Sequence, residues 1–265
     1  MGKQLVKRSE LSSSDTVQSV SRALEILHIL SFNVSSTGMR FSDLQAQSGL
    51  SKGTLHRLLK SLVVSGFVEQ AAGSRMYYLG LEFLSMGERA ANRLDIRAIT
   101  QTSLQRLAVA TGDTVMLTIR SGLDAVCIDR REGAFPVKAL TQSIGTRRPL
   151  GVGSGALALL AALSDEEVQN VLRRNSYRLS SYPGVTLELL LQAITETREC
   201  GYAFNPGHLL KGMCGIGVTI YLAKQPVAAL SIAASVGRMQ LSRRREVAAM
   251  LKNEATRISE ELSEH

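Results

Sequence analysis

Residues 41–66, FSDLQAQSGLSKGTLHRLLKSLVVSG, restrict the possible folds more than any other stretch of the chain. Gly49 divides them into two short helical runs. Ser42, with Gln45 three residues on, is a capping pair for the first run, and Ser51 is placed to cap the second. The second run sets Leu55, Leu58, Leu59 and Leu62 on one face, and Gly66 ends it. Two short helices joined by a tight, glycine-containing turn make a helix-turn-helix pattern. Strand-like Phe67–Gln70 and Met76–Leu79 flank a turn at 71–75, so a hairpin, or wing, follows directly. Upstream, Val17, Val20, Leu24 and Leu27, with Ala23, Ile26 and Leu30, form another helical stripe, with Asp15 and Gln18 as a capping pair.

The face of the second run opposite its leucines carries Ser51, Lys52, Thr54, His56, Arg57 and Lys60. A helix of this kind fits the major groove, with its N-terminal residues nearest the base edges. Ser51, Thr54 and the backbone amides at the helix start can hold a phosphate. Lys52, Arg57 and Lys60 add charge, and Arg75 on the wing extends it. Between Ser51 and Arg75 the only acid is Glu69. The competing reading is a protein-interaction module whose basic face is merely solvated, with Arg57 tied in an internal ion pair.

Length and charge agree with a second domain and a polyanionic partner. At roughly 150 residues per domain, 265 residues favour two. Apolar residues are 45% and charged residues 20%, enough for packed cores, and the net charge of +8 favours polyanions. Apolar runs such as Ala156–Leu163 are far short of a membrane span. Met1–Asp15 lacks the apolar centre of a signal peptide, and Val6 breaks the myristoylation pattern. Cys127, Cys200 and Cys214 are too widely spaced for a disulfide framework or a paired-cysteine metal site. The expectation is a cytoplasmic protein with no membrane association, metal or cofactor.

The second half mixes strands and helices without regular alternation. Thr114–Arg120 and Ala125–Arg130 are strand-like around a turn at 121–124, and Phe135–Leu140 is a further candidate strand. Glycine-rich 151–155 precedes a helix over Ala156–Leu163, and Ser164 opens another. Thr186–Cys200 is helical and stops at Gly201. Gly215–Leu222 and Val227–Ala234 form a hairpin over 223–226, and a final helix covers 242–262. This is an α+β pattern.

Three runs, VQSVSRALEILHIL, FSDLQAQSGLSKGTLHRLLKSLVVSGFVEQ and MYYLGLEFLSMG, resemble the IclR-type transcriptional regulators. So do PLGVGSGALALLAALSDEEV, TRECGYAFNPGHLLKGMCGIGVTIY and VAALSIAASVGRM, in the same order. The resemblance covers about Asp15 to Leu262. It implies an α+β chain with an N-terminal winged helix-turn-helix domain, joined by a linker helix to a GAF-like effector-binding domain. It also implies homodimers, some paired into tetramers, that bind double-stranded operator DNA and control catabolic or other metabolic genes. On that basis we expect a disordered tail at 1–14, the DNA-binding domain at 15–80, the linker helix at 81–94 and the effector-binding and oligomerisation domain at 95–265. Two departures concern the effector. Ala156 follows Ser154-Gly155 where the family commonly has Lys, and Asn205-Pro206-Gly207-His208 stands where an acidic residue is common.

The glycine loop supplies Gly151, Gly153, Ser154 and Gly155, whose amides at a helix start favour a small anion such as a carboxylate. The hairpin adds Cys214, Gly215, Ile216 and Ser231, and Asn205 can pair with a donor or an acceptor. Asn205, Gly215, Ser231 and Ala233 align with pocket positions of some family members. The expected effector is a small organic or aromatic acid. Packing is the plainer role for Cys127 and Cys214. The basic run Arg243–Arg245 reads as a solvated helix face, a second DNA contact being the lesser option. Catalysis is not expected. Apart from the terminal His265, His28 and His56 belong to the DNA-binding half, which leaves Ser154 only His208 as a base.

Overall fold

The computed structural model describes residues 17–32, 38–71, 73–92, 96–136, 142–182 and 184–264. The expected tail and the capping pair headed by Asp15 lie outside these residues. The described residues fall into two compact units divided between residues 94 and 95.

In the first unit, α1 (Gln18–Phe32), α2 (Phe41–Ser48) and α3 (Lys52–Val64) pack around Ile26, Leu30, Leu44, Leu55, Leu59 and Leu62. Burying each such side chain contributes about 1.5–3 kcal/mol. Gly49 ends α2 in the left-handed conformation, φ 65°. Ser42 does not cap α2. The helix starts two residues earlier than such a cap would place it, with Arg40 at the cap position, and the Ser42 hydroxyl donates to Asp43 Oδ1. Ser51 does cap α3, accepting from the Thr54 amide. The wing is β2 (Val68–Gln70) and β3 (Met76–Leu79), joined by a two-residue strand β1 (Met39–Arg40) in an antiparallel sheet of order β1-β3-β2. A further helix, α4 (Glu82–Asn92), follows.

The second unit is built on an antiparallel sheet of order β6-β5-β4-β9-β8-β7. Its strands are β4 (Thr114–Ser121), β5 (Asp124–Glu132), β6 (Arg147–Pro149), β7 (Ala203–Leu210), β8 (Met213–Leu222) and β9 (Gln225–Ser235). Helices α5 (Ile96–Thr111) and α9 (Leu241–Glu264) cover one face; α6 (Ser154–Ala161), α7 (Asp165–Leu179) and α8 (Leu187–Cys200) lie on the other side. Alternation along each strand serves both layers. Val115, Leu117, Ile216, Val218, Leu230 and Ile232 meet α5 and α9, whereas their sequence neighbours Met116, Gly215, Gly217 and Ser231 face the opposite way.

Several elements depart from expectation. The strand proposed at Phe135–Leu140 does not include Phe135 or Pro136, which lie in irregular chain, and its remainder lies outside the described residues. β6 and β7 were not expected. β7 contains Pro206 and Gly207, tolerated because it is an edge strand with a bulge between Asn205 and Leu210. α5 was not expected either. α6 begins at Ser154, so Ser154 and Gly155 are its first residues rather than its preceding loop. The hairpin turn is tighter than expected, with Ala223 and Lys224 at positive φ between β8 and β9.

Candidate DNA-reading face and effector cavity

α3 presents Gly53, Arg57, Lys60 and Val64 outward at helical spacing, opposite buried Leu55, Leu59 and Leu62. Lys52 and His56 are exposed beside this stripe. Among the described residues no carboxylate lies within ion-pair distance of Lys52, Arg57, Lys60 or Arg75. The internal pairing considered for Arg57 is therefore absent there. Glu69, the acid of the segment, accepts from the Leu81 amide. The Ser51 hydroxyl accepts from the Thr54 amide and donates to Thr54 Oγ1 at 2.9 Å. Ser51 thus shapes the helix start, and the Lys52 and Gly53 amides are the first-turn donors left outside the cap. A Cβ at Gly53 would meet nothing within 4 Å, so the face is open there. Arg75 is exposed at the wing tip with φ 53°. Sequence reasoning missed Arg40, exposed on β1 opposite Met76 and therefore next to Arg75. A two-residue strand leaves no periodicity to read.

In the second unit a cavity of about 40 Å³ opens where the start of α6 meets β4, β7, β8 and β9. Eight of the ten expected effector residues border it: Gly153, Ser154, Gly155, Asn205, Cys214, Gly215, Ser231 and Ala233. Two do not. Ile216 is fully buried on the opposite face of the sheet, since a strand turns alternate residues apart. Gly151, at φ 98°, fits its backbone against Leu190 and Leu160 and borders a second cavity of about 200 Å³ beside α8.

Glycines bring α6 this close. A Cβ at Gly217 would run into the Ser154 carbonyl, and one at Gly215 would stand 2.7 Å from Ser154 Oγ. A Cβ at Gly155 would stand 3.1 Å from Ser231 Oγ and 3.2 Å from Thr118 Oγ1. The Gly153 cap position supplies no side-chain bond, so the positive end of α6 faces the cavity uncapped by any side chain.

The polar side chains around the cavity are Gln142, Arg148, Ser154, Asn205 and Ser231. The Asn205 carbonyl oxygen accepts from the Gly207 and His208 amides at 2.9 and 3.0 Å, which leaves its NH₂ group to point elsewhere. Ser154 and Ser231 are only 8% and 2% exposed, yet among the described residues their hydroxyls have no hydrogen-bond partner. Arg148 was missed by sequence reasoning because it sits beyond the expected loop, on β6. It lines the cavity with a guanidinium nitrogen 3.7 Å from where a Gly153 Cβ would stand. Burial pushes this guanidinium below its ordinary pKa. Met116, Ala156, Leu209, Leu210 and Met213 add apolar wall. Among the described residues no histidine or carboxylate borders the cavity beside Ser154; His208 borders the other one.

Two of the three thiols are buried. Burial pushes Cys127 up to about 11 and also raises Cys214, whose Sγ lies 3.5 Å from the Ala234 carbonyl. The basic run on α9 is mostly engaged: Arg243 pairs with buried Asp113, Arg244 stacks on Phe204, and Arg245 is exposed.

Residues 19–72 match the IclR helix-turn-helix domain, and residues 88–260 match the C-terminal domain of bacterial IclR transcriptional regulators. The chain is 33% identical over 227 residues to the HTH-type transcriptional regulator XynR of Escherichia coli, covering 84% of this chain and 88% of XynR. It is 32% identical over 228 residues to KipR of Bacillus subtilis, covering 84% and 90%. In three dimensions it resembles a putative IclR regulator from Silicibacter sp. TM1040, with TM-score 0.79, 24% identity and coverage of 92% and 96%. It also resembles an IclR homologue from Microbacterium hydrocarbonoxydans complexed with 4-hydroxybenzoate, with TM-score 0.77, 23% identity and coverage of 93% and 100%.

Proposed function

The chain belongs to the IclR family of bacterial transcriptional regulators, and we propose that its α3 reads operator DNA under the control of a small organic or aromatic acid held beside α6. Membership of the family makes it a DNA-binding regulator rather than an enzyme. The observation that carries the proposed contacts is the open basic face of α3. Its cations have no acid neighbour among the described residues, and its only acid in the segment is turned to Leu81. In this reading Arg57 and Lys60 meet phosphates or base edges, with Lys52, His56, Ser51 and Thr54 at the helix start. Arg75 on the wing reaches an adjacent groove.

The regulator acts as a homodimer in the cytoplasm, with tetramers formed by pairing dimers, on operators with two related half-sites. Exposed apolar side chains just before and on α1 (Val17, Val20, Leu24) and around α4 (Leu81, Leu84, Met86) supply the surface for a second copy. The acid acts by binding one arrangement of the DNA-binding domains more tightly than another. The 4-hydroxybenzoate complex of the Microbacterium homologue supports an acid of this class.

An electrophoretic shift on the DNA upstream of its own gene, in excess unrelated competitor, tests the reading. A competitor-resistant shift is expected. Binding that tracks total DNA alone, with no sequence preference, would instead make α3 a protein-docking element.

A further inference from the structure

The wing sheet carries a cation that none of the contacts above uses. Arg40 is exposed on β1, an edge strand of the order β1-β3-β2. Its register opposite Met76 sets it beside Arg75, whose left-handed backbone (φ 53°) is braced by the Ser74 hydroxyl accepting from the Met76 amide. β1 has only two residues, yet it fits closely on β3. Gly38, at φ 72°, leaves room for the Tyr78 ring, and a Cβ there would stand 2.6 Å from Tyr78 Cζ. Two cations thus stand side by side on neighbouring strands, where like charges repel. Among the described residues no carboxylate lies within ion-pair distance of either. Asp43, three residues on, accepts from the Ser42 hydroxyl, and Glu69 on β2 accepts from the Leu81 amide. The start of α2 adds an independent observation. Arg40 occupies its cap position and makes no side-chain cap bond. Ser, Thr, Asp or Asn there would satisfy an amide of the first turn and strengthen the helix. An exposed arginine forgoes that gain, and the described residues give its charge no partner.

We propose that Arg40 grips a backbone phosphate at the edge of the groove that Arg75 enters, as a contact that holds DNA without reading its sequence. This deepens the reading of α3 as the operator-reading helix and rests on it. In a helix-turn-helix the first helix crosses the DNA backbone while the second lies in the major groove. Arg40 immediately precedes α2, the first of the two, so its guanidinium meets phosphate rather than base edges. Contacts of this kind fix register and orientation and leave discrimination to the groove-reading side chains.

Fluorescence anisotropy of the full chain tests this, on the duplex upstream of its own gene and on an unrelated duplex, across a fourfold range of salt. Arg40→Ser removes the charge and supplies a favoured cap, so it should melt no lower than the wild type. It should nevertheless bind both duplexes more weakly, by the same factor. If each subunit of a dimer loses one phosphate contact, the slope of log affinity against log salt flattens by about 1.8 units. Over the fourfold rise in salt the wild type then loses about twelvefold more affinity than Arg40→Ser. Arg40→Lys, which keeps the charge, should keep the wild-type slope. Equal affinity and slope in Arg40→Ser and wild type overturn the contact while leaving α3 as the reading helix. A loss confined to the upstream duplex, with unrelated DNA bound as before, overturns the phosphate assignment and makes Arg40 a base reader. Wild-type protein with no preference between the duplexes overturns the operator reading itself, an outcome distinct from failure of the Arg40 contact.

Discussion

Gly217 shows how one missing side chain positions a site. Its backbone lies against the Ser154 carbonyl, so Gly217→Ala must push α6 off the sheet. We expect a loss of about 1–3 kcal/mol in urea unfolding, typical of overpacking, together with loss of effector response. The cysteines give an independent check at the same scale. Cys200 is exposed, Cys127 and Cys214 are buried, and burial holds both of the latter above the ordinary thiol range. A thiol reagent should label Cys200 in the native protein, with the other two labelled only after denaturation. Much of this scale was legible in the sequence. Ser51 and Ser164 each cap a helix as their spacing predicts, whereas Thr186, expected inside its helix, caps it. Arg148 was not legible, because a cation on a three-residue edge strand carries no pattern until β5 and α6 place it.

At the scale of elements, α5 shows why a helix can escape notice. Its buried face runs through Ile96, Ile99, Thr100, Ser103, Leu104, Leu107, Ala108 and Thr111, a regular helical spacing with three polar members. Those polar groups break the apolar stripe. Two satisfy themselves locally, Thr100 on the Ile96 carbonyl and Thr111 on the Leu107 carbonyl. β7 escaped for the opposite reason, since Pro206 and Gly207 argue against a strand unless it lies at an edge. α5 is tied to α9 by a two-point bond from Arg106 to Glu254, at 3.0 and 2.8 Å. The Arg106 hydrogen bond holds the Glu254 carboxyl below its ordinary value of 4.5. A depressed folded-state pKa stabilises above the unfolded value and is lost as pH falls through the folded one. The stability advantage of the wild type over Glu254→Gln should therefore be full at neutral pH and shrink below about pH 4.5. Denaturant titrations at several pH values would read it, and an advantage that grows on acidification would rule out this bond as its source.

At the scale of the molecule, two units were legible from length and from the change of pattern after the wing, and the basic face of α3 was legible from its spacing. Sequence did not resolve which effector positions share a face, because that depends on the register of β8 and β9. The exposed apolar stripe on α1 and α4 predicts that Leu24→Glu with Leu84→Glu shifts the protein towards monomer in sedimentation and weakens operator binding. Retention of dimers would move the interface elsewhere. The central claim, that the outward face of α3 docks on operator DNA, is tested most directly by salt dependence. Arg57→Ala with Lys60→Ala should lower affinity. If each subunit of a dimer loses two phosphate contacts, the slope of log affinity against log salt should flatten by about 3.6 units. A slope unchanged from that of the wild-type protein would contradict the account.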